Sequence, residues 1–167
     1  MIISAKNKMQ SAKGFTLIEL LVVITIIGIL ATLAAFGTER SFKSARDNQR
    51  RSDLDQNRIA LESYANNNDG LYPVQAAAVA TNSQAFCVGD LGFAAITDCP
   101  TDPLQERDGS WGNYKYISDA TGANYVLVAK LEAVESSSTQ AYVICSNGKV
   151  GTGALSFWAS PNVLCPL

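Results

Sequence analysis

The sequence predicts an α+β protein in which a long amino-terminal α-helix packs on a carboxyl-terminal antiparallel β-sheet. Two stretches predict the helix, since Leu20–Thr38 holds no charged residue and Glu39–Ala65 holds neither proline nor glycine. The last third of the chain predicts the sheet, because short segments rich in tyrosine, valine and isoleucine alternate there with turn residues. A chain of 167 residues has room for this helix and one modest core.

The first half of the predicted helix, residues 15–38, is apolar and long enough to cross a membrane. At about 1.5 Å per residue, its uncharged part spans roughly the 30 Å of a hydrocarbon layer. Glu19 is its single ionisable side chain. A carboxylate costs on the order of 2.5 to 3.5 kcal/mol at mid-membrane and less near an edge, so Glu19 needs a partner.

Two simpler interpretations of this stretch are open at this point. The first is a secretory signal cut near the small residues that follow Leu33, although such a signal has a shorter apolar core without a glutamate. The second is a plain single-span anchor, which fits the length and leaves Glu19 without a purpose.

The segment Gly14-Phe15-Thr16-Leu17-Ile18-Glu19, with the apolar residues after it, resembles the start of type IV pilins and of the pseudopilins of type II secretion systems. The resemblance implies a leader, residues 1–14, which a prepilin peptidase removes on the cytoplasmic side before it methylates the new amino terminus on Phe15. It further implies that Gly14 matters because its lack of a side chain lets the peptidase approach. The same resemblance implies that Glu19 meets the amino-terminal charge of a neighbouring subunit during assembly.

Residues 39–66 continue the helix as an amphipathic segment. Leu54, Leu61 and Ala65 form a stripe at helical spacing that can dock on a sheet, with the aliphatic stem of Arg58 between them. Opposite charges spaced four residues apart line the rest of this segment. They form either a solvated face or contacts between subunits.

Residues 67–167 are predicted to form the globular head. The asparagines and Gly70 that follow residue 65 end the helix. Short helices are expected over 74–80 and 91–97. Strands are expected over 111–118, 124–131 and 140–146, with an Asn-Gly hairpin leading into Val150 and an extended tail held by Cys165.

Four cysteines lie after the apolar stretch, in the part expected to be exported: Cys87, Cys99, Cys145 and Cys165. An even number on an oxidising side indicates disulfides, for which three pairings exist. Cys87 with Cys99 and Cys145 with Cys165 is the favoured pairing, because each bond closes a short loop. A zinc site is the alternative, although no Cys-x-x-Cys pair is present.

No enzymatic activity is expected. The chain has no histidine, the commonest general base, and no phosphate-binding glycine loop. Its acidic balance argues against nucleic-acid binding.

No cofactor is expected except calcium, which the resemblance to major pseudopilins suggests for the aspartates near the first strand. Solvated turns are the alternative use of these aspartates. These are Asp98, Asp102, Asp108 and Asp119.

The sequence therefore favours the structural subunit of a type IV pilus, with a pseudopilin of a secretion or DNA-uptake system and a non-polymerising anchored binding protein as alternatives. The resemblance implies a homopolymer formed through the amino-terminal helices. It also implies as partners the peptidase and N-methyltransferase, a membrane platform protein and an assembly ATPase. Before assembly the chain would cross the cytoplasmic membrane once, with its carboxyl-terminal domain outside the cytoplasm. After assembly it would be part of an extracellular pilus.

Overall fold

The computed structural model describes residues 14–35, 38–105, 112–132, 140–159 and 161–167. Its contacts divide the chain between Glu39 and Arg40 into two compact units. The first contains an apolar helix, and the second contains an amphipathic helix and the sheet. This is the predicted α+β fold.

Two helices lie among the described residues up to position 67. Helix α1 covers Leu17–Ala35 and helix α2 covers Thr38–Asn67; the predicted continuity between them falls at residues 36–37, which lie outside the described residues. In the described part of the chain, no helix combines the length and apolarity required of a bilayer span. Helix α2 ends as predicted, because Gly70 has a left-handed φ of 80° and its N–H reaches the carbonyl of Ala65 at 2.9 Å.

Five antiparallel strands form one sheet in sequence order, each paired with the next. Their bounds are β1 Val79–Ala80, β2 Lys115–Ser118, β3 Tyr125–Lys130, β4 Gln140–Cys145 and β5 Val150–Ala154. The second and third predicted strands are confirmed. The first begins later than expected, and residue 111 lies outside the described residues. The Asn-Gly hairpin into β5 is also confirmed, with Gly148 at a φ of 81°.

One face of the sheet packs on α2. Side chains at alternate positions of the strands point to this face, and the register aligns Tyr116, Leu127 and Ile144 across three strands. Leu54 and Leu61 of α2 complete this fully buried cluster, as the predicted stripe requires. The residue between them differs from the prediction: Asn57 is fully buried, whereas the side chain of Arg58 is 39% exposed.

The opposite face of the sheet is covered by the carboxyl-terminal tail. Val126, Val128 and Val143 point to this face and contact the aromatic and aliphatic side chains of residues 157–167. The tail begins with a short helix, α3 (Leu155–Ala159), so the prediction of an entirely extended tail is wrong. Both faces of the sheet are therefore buried, which explains why five of the six residues of β3 are buried.

The prediction of two short helices between α2 and β2, over 74–80 and 91–97, is wrong. Residues 74–78 form no helix and lie beside the end of β2, where the N–H of Gln75 donates to Ser118 Oγ at 2.7 Å and its carbonyl accepts from the Ser118 N–H at 3.0 Å. These tertiary hydrogen bonds override the local helical propensity of alanine. A π-helical turn lies over Gln84–Asp90, outside both predicted helices, and a 3₁₀ turn over Ile96–Asp98 overlaps only the last two residues of the second predicted helix.

Candidate functional site

The amino-terminal turn of α1 positions Glu19 through reciprocal contacts with Thr16. The Thr16 N–H and hydroxyl donate to Glu19 Oε2 at 2.8 and 2.7 Å, and the Glu19 N–H donates to Thr16 Oγ1 at 3.3 Å. This is a capping box, in which residues three apart satisfy each other's free groups at a helix start. In the described part of the chain no group donates to Glu19 Oε1, which can therefore accept a hydrogen bond from a further cation.

The surroundings of Glu19 are apolar. Phe15, Ile18, Val22 and Val23 line an open depression beside its carboxylate. The two threonines farther along α1 are satisfied by their own helix, since Thr25 and Thr32 donate to main-chain carbonyls three residues earlier at 2.8 and 2.7 Å. Glu19 is thus the polar group of α1 that remains available to another molecule.

The apolar surface of α1 is exposed in the single chain. Phe15 is 85% exposed and Leu17 is 81% exposed, and the large apolar side chains from Ile18 to Leu33 are each about half exposed or more. Such a continuous apolar surface requires a covering, because its contact with water is unfavourable by roughly 25 cal/mol per Å². Neighbouring helices and lipid tails can both provide this covering.

Comparison with known proteins identifies the family. Residues 9–35 match the family described as the prokaryotic N-terminal methylation motif. The chain is also 30% identical over 119 residues to the type II secretion system core protein G of Dickeya chrysanthemi, an alignment that covers 70% of this chain and 68% of that protein. The chain belongs to the type IV pilin and pseudopilin family. No solved structure shows significant similarity to it.

Membership in the pilin and pseudopilin family assigns a structural role, because its members are non-enzymatic subunits. The matched motif includes Gly14, Phe15 and Glu19 and indicates a membrane-anchored precursor that is assembled into a filament. The arrangement at Glu19 agrees with this role, since it offers a carboxylate oxygen within an apolar surface.

Two disulfides hold the head of this pilin-family chain. Cys87 is bonded to Cys99, and Cys145 is bonded to Cys165, with Cα atoms 6.1 and 5.9 Å apart. This is the pairing that short loop closure favours. The first disulfide closes the loop before β2, and the second fastens the carboxyl-terminal tail to β4.

The structure does not gather the candidate calcium ligands. Asp98 accepts a hydrogen bond from the Ala95 N–H in its own 3₁₀ turn. Asp119 accepts a hydrogen bond from the Asn124 N–H in the turn between β2 and β3. Asp102 is buried and bound by Arg50, and Asp108 lies outside the described residues. Within the described ranges no three acidic, histidine or cysteine side chains are placed to hold a metal.

A buried charge cluster centred on Arg50 is a feature that sequence patterns did not predict. Arg50 is fully buried, with Nε 2.6 Å from Asp102 Oδ2 and Nη1 2.7 Å from Asp47 Oδ1 and 2.6 Å from Glu132 Oε1. Arg46 also binds Glu132, through two nitrogens. A signal was present in the sequence, because Arg50 lies four residues before Leu54 on the buried stripe of α2.

The carboxylate of Glu132 stays charged in this cluster. Burial alone would raise its pKa, but the hydrogen bonds from Arg46 and Arg50 outweigh burial and hold the pKa below its usual value. The same contacts with Asp102, Glu132 and Asp47 overcome the burial of Arg50 and raise the pKa of its guanidinium. Glu132 and Arg50 are therefore both ionised at neutral pH.

Proposed function

We propose that this protein is the structural subunit of a helical filament that polymerises through α1. Each Glu19 would accept a hydrogen bond from the amino group of Phe15 in a neighbouring subunit. The observation that carries this proposal is the Glu19 carboxylate, which has one oxygen without a donor in the described residues and lies in an exposed apolar surface. Pairing of the two charges removes the cost of leaving either one alone in an apolar surrounding.

Before assembly, the segment 15–38 would be stored in the cytoplasmic membrane with the head outside the cytoplasm. Removal of residues 1–14 by the prepilin peptidase creates the Phe15 amine, which the same enzyme methylates. A platform protein and an ATPase would then move the subunit from lipid into a bundle of like helices. Apolar contacts are retained during this transfer, so its driving force includes the new contact between Glu19 and Phe15.

Replacing Glu19 with glutamine tests the polymerisation step. Incorporation of Glu19→Gln into sheared filaments, measured by immunoblotting against wild type, is expected to fall by at least about tenfold, because the Phe15 amine loses its charged partner. Thr25→Val is the matched control, since Thr25 bonds to its own helix, and it should assemble normally. Equal incorporation of Glu19→Gln and wild type into filaments would show that assembly does not need the Glu19 charge, and absence of both proteins from filaments would favour a non-polymerising membrane anchor.

Among filaments, we propose a pseudopilus of the type II secretion kind as the first candidate. The support is the relative, whose name places it in that system, together with an alignment that extends beyond the amino-terminal motif. Deletion of the protein should then abolish export of secreted proteins while leaving surface fibres unchanged. Loss of surface fibres with normal secretion would contradict this assignment.

A surface type IV pilus is the second candidate. It is favoured by the two disulfides of the head and by the separation of the described aspartates suggested as calcium ligands. Electron microscopy of sheared surface fractions separates the two candidates at wild-type expression. Fibres that are labelled by an antibody against the head indicate a pilus, whereas a pseudopilus remains within the envelope.

A further inference from the structure

We propose that neighbouring heads contact each other through opposite sides of the sheet. The acidic loop, residues 84–99, lies on the β1 side of one head. The receiving surface lies on the β5 side of the next copy and consists of Arg51, Tyr142, Val150 and Thr152. This inference rests on the proposed function, because a filament that grows in one direction holds neighbouring copies in the same orientation.

The acidic loop is fixed to the β1 side of the sheet. It follows β1 closely, and the ring of Phe86 lies 4.5 Å from the ring of Tyr116 on β2, measured between centroids. Gln75 Nε2 donates to Asp90 Oδ2 at 3.5 Å, and the main chain of Gln75 binds Ser118 at the end of β2. These contacts place the loop beside the first two strands.

The exposed surface of the acidic loop combines apolar and acidic side chains. Ala94 and Ile96 are exposed, the latter by 42%. Asp90 and Asp98 flank this apolar segment. Residues 59–106 contain no lysine or arginine, so the loop and the sequence on either side of it carry only negative charges. An exposed apolar segment of this kind is typical of a contact surface.

A disulfide and local hydrogen bonds hold the acidic loop in one conformation. The Cys87–Cys99 disulfide closes it. The Phe93 N–H donates to the Cys87 carbonyl at 3.1 Å, and the Ala95 N–H donates to Asp98 Oδ2 at 3.1 Å. A partner therefore meets a preorganised surface, and little conformational entropy is lost when it binds.

The receiving surface lies where β5 forms the opposite edge of the sheet. Val150 is 44% exposed and Thr152 is exposed, which leaves an uncharged strip beside Tyr142 of β4. The Arg51 guanidinium lies 5.5 Å from the centroid of the Tyr142 ring and is exposed. Among the residues that the structure describes, no carboxylate forms an ion pair with Arg51. Its charge can therefore pair with a carboxylate of another chain.

The topology of the sheet brings these two surfaces together. Strands β1 and β5 are its opposite edges, so copies that lie side by side in one orientation place the β1 side of one against the β5 side of the next. Such a heterologous contact repeats along a fibre without closing. Pairing of two β5 edges would need a twofold rotation that reverses α2, which one filament direction does not allow.

The chemistry of the two surfaces is complementary. Asp90 and Asp98 supply the negative charges, and Arg51 supplies the positive charge. Ile96 and Val150 are the exposed apolar side chains on the two sides. Opposite potentials favour this pairing over contact between two acidic loops, and burial of the apolar side chains removes their surface from water.

Cross-linking within assembled filaments tests the contact. All four cysteines of the chain are bonded in the two disulfides, so introduced cysteines are the only free thiols. Ala94→Cys places one in the acidic loop, and Thr152→Cys places one on β5. A short bis-maleimide should link the double variant into a ladder of dimers, trimers and longer chains, because each copy carries both surfaces. Neither single variant should form dimers.

Arg51→Gln tests the charge in the same double-cysteine background. The cross-linked fraction should fall by about threefold, since an exposed ion pair contributes up to about 1 kcal/mol. Arg58→Gln is the matched control, because Arg58 lies on the same helix and already pairs with Asp55 at 3.4 Å. It should leave the cross-linked fraction unchanged. Thermal unfolding of each purified variant in detergent checks that the head remains folded.

Filament yield and cross-linking are measured on the same samples, so the contact and the proposed function are judged separately. Filaments of the double variant without a ladder would overturn the contact and leave polymerisation through α1 intact. Dimers of either single variant would overturn it in favour of a twofold contact. Equal cross-linking of Arg51→Gln and Arg58→Gln would overturn the role of charge. A ladder in cells that form no filaments would support the contact and contradict the filament.

Discussion

Gly122 permits the close contact between the turn after β2 and the segment that follows α2. Its φ is +73°, and a Cβ atom placed there would lie 2.5 Å from the main-chain oxygen of Tyr72. The Tyr72 N–H in turn donates to the Gly122 carbonyl at 2.8 Å. The main chain of Tyr72 leaves no room for a side chain here, so this position requires glycine.

Gly122→Ala is expected to destabilise the head by roughly 2 kcal/mol or more, the sum of a left-handed conformation and a main-chain clash. Gly148→Ala is the control, because Gly148 has a φ of +81° and no atom lies within 4 Å of a Cβ placed there. It should cost only about 1 kcal/mol. Urea unfolding measures both, and equal losses would contradict the role given to the Tyr72 contact.

Asp119 is expected to titrate with a pKa of about 2, chiefly because Asn124 donates to its carboxylate, with further donors from Thr121 and Ala123. Because the pKa of Asp119 in the folded head lies below its ordinary value near 3.9, the carboxylate's contribution to the free energy of unfolding is fully present above about pH 3.9. It is lost as the pH falls through about 2. NMR titration of the Asp119 carboxyl carbon measures this shift. A midpoint near 3.9 would show that the turn does not form in solution.

At the scale of elements, the tail forms the second half of the core. The side chains of Trp158, Val163 and Leu167 lie against the face of the sheet that α2 does not cover. Gly151 and Gly153 of β5 leave space for it, since a Cβ at Gly151 would lie 3.1 Å from the Leu167 side chain. The tail is thus a structural layer rather than a loose end.

Removing the Cys145–Cys165 disulfide by double serine substitution is expected to cost roughly 3 kcal/mol and to loosen this layer. Hydrogen exchange at Val126 and Val143 should become faster, because both lie under the tail. The control is the double serine variant of Cys87 and Cys99, whose disulfide closes a loop of similar entropy and should leave this exchange unchanged. Unchanged exchange in the first variant would show that apolar contacts alone hold the tail.

At the scale of the whole molecule, the amino terminus of the mature chain reports whether processing occurs. Mass spectrometry is expected to find a chain that begins at Phe15 and is heavier by one methyl group. Under the proposed processing, the peptidase needs a position without a side chain, so Gly14→Val should remain uncut, while Gly28→Ala should be processed normally. Neither substitution meets an obstacle within the described chain, since no atom lies within 4 Å of a Cβ at Gly14 or Gly28.

Processing of Gly14→Val at the wild-type rate would contradict the role assigned to Gly14. A mature chain that begins at Met1 would contradict the leader itself. Either result is distinguishable from a folding defect, because the melting temperature of the head is measured on the same samples.

The sequence by itself determined the features that depend on local pattern. The helix end near residue 66, two of the three strands and the Asn-Gly hairpin follow from helical or alternating periodicity and from residues that accept a left-handed backbone. The family was also readable, because the residues from Gly14 to Glu19 are contiguous.

Only the tertiary structure decided which distant groups meet. Residues 74–78 are not helical because Ser118 binds Gln75 across 43 positions of sequence, a contact that alanine propensity cannot reveal. The Arg50 cluster depends on Asp102 and Glu132, which lie on segments brought together by the sheet register and the first disulfide. Periodicity shows which face of an element is buried, but the identity of its partner is set by packing across the whole head.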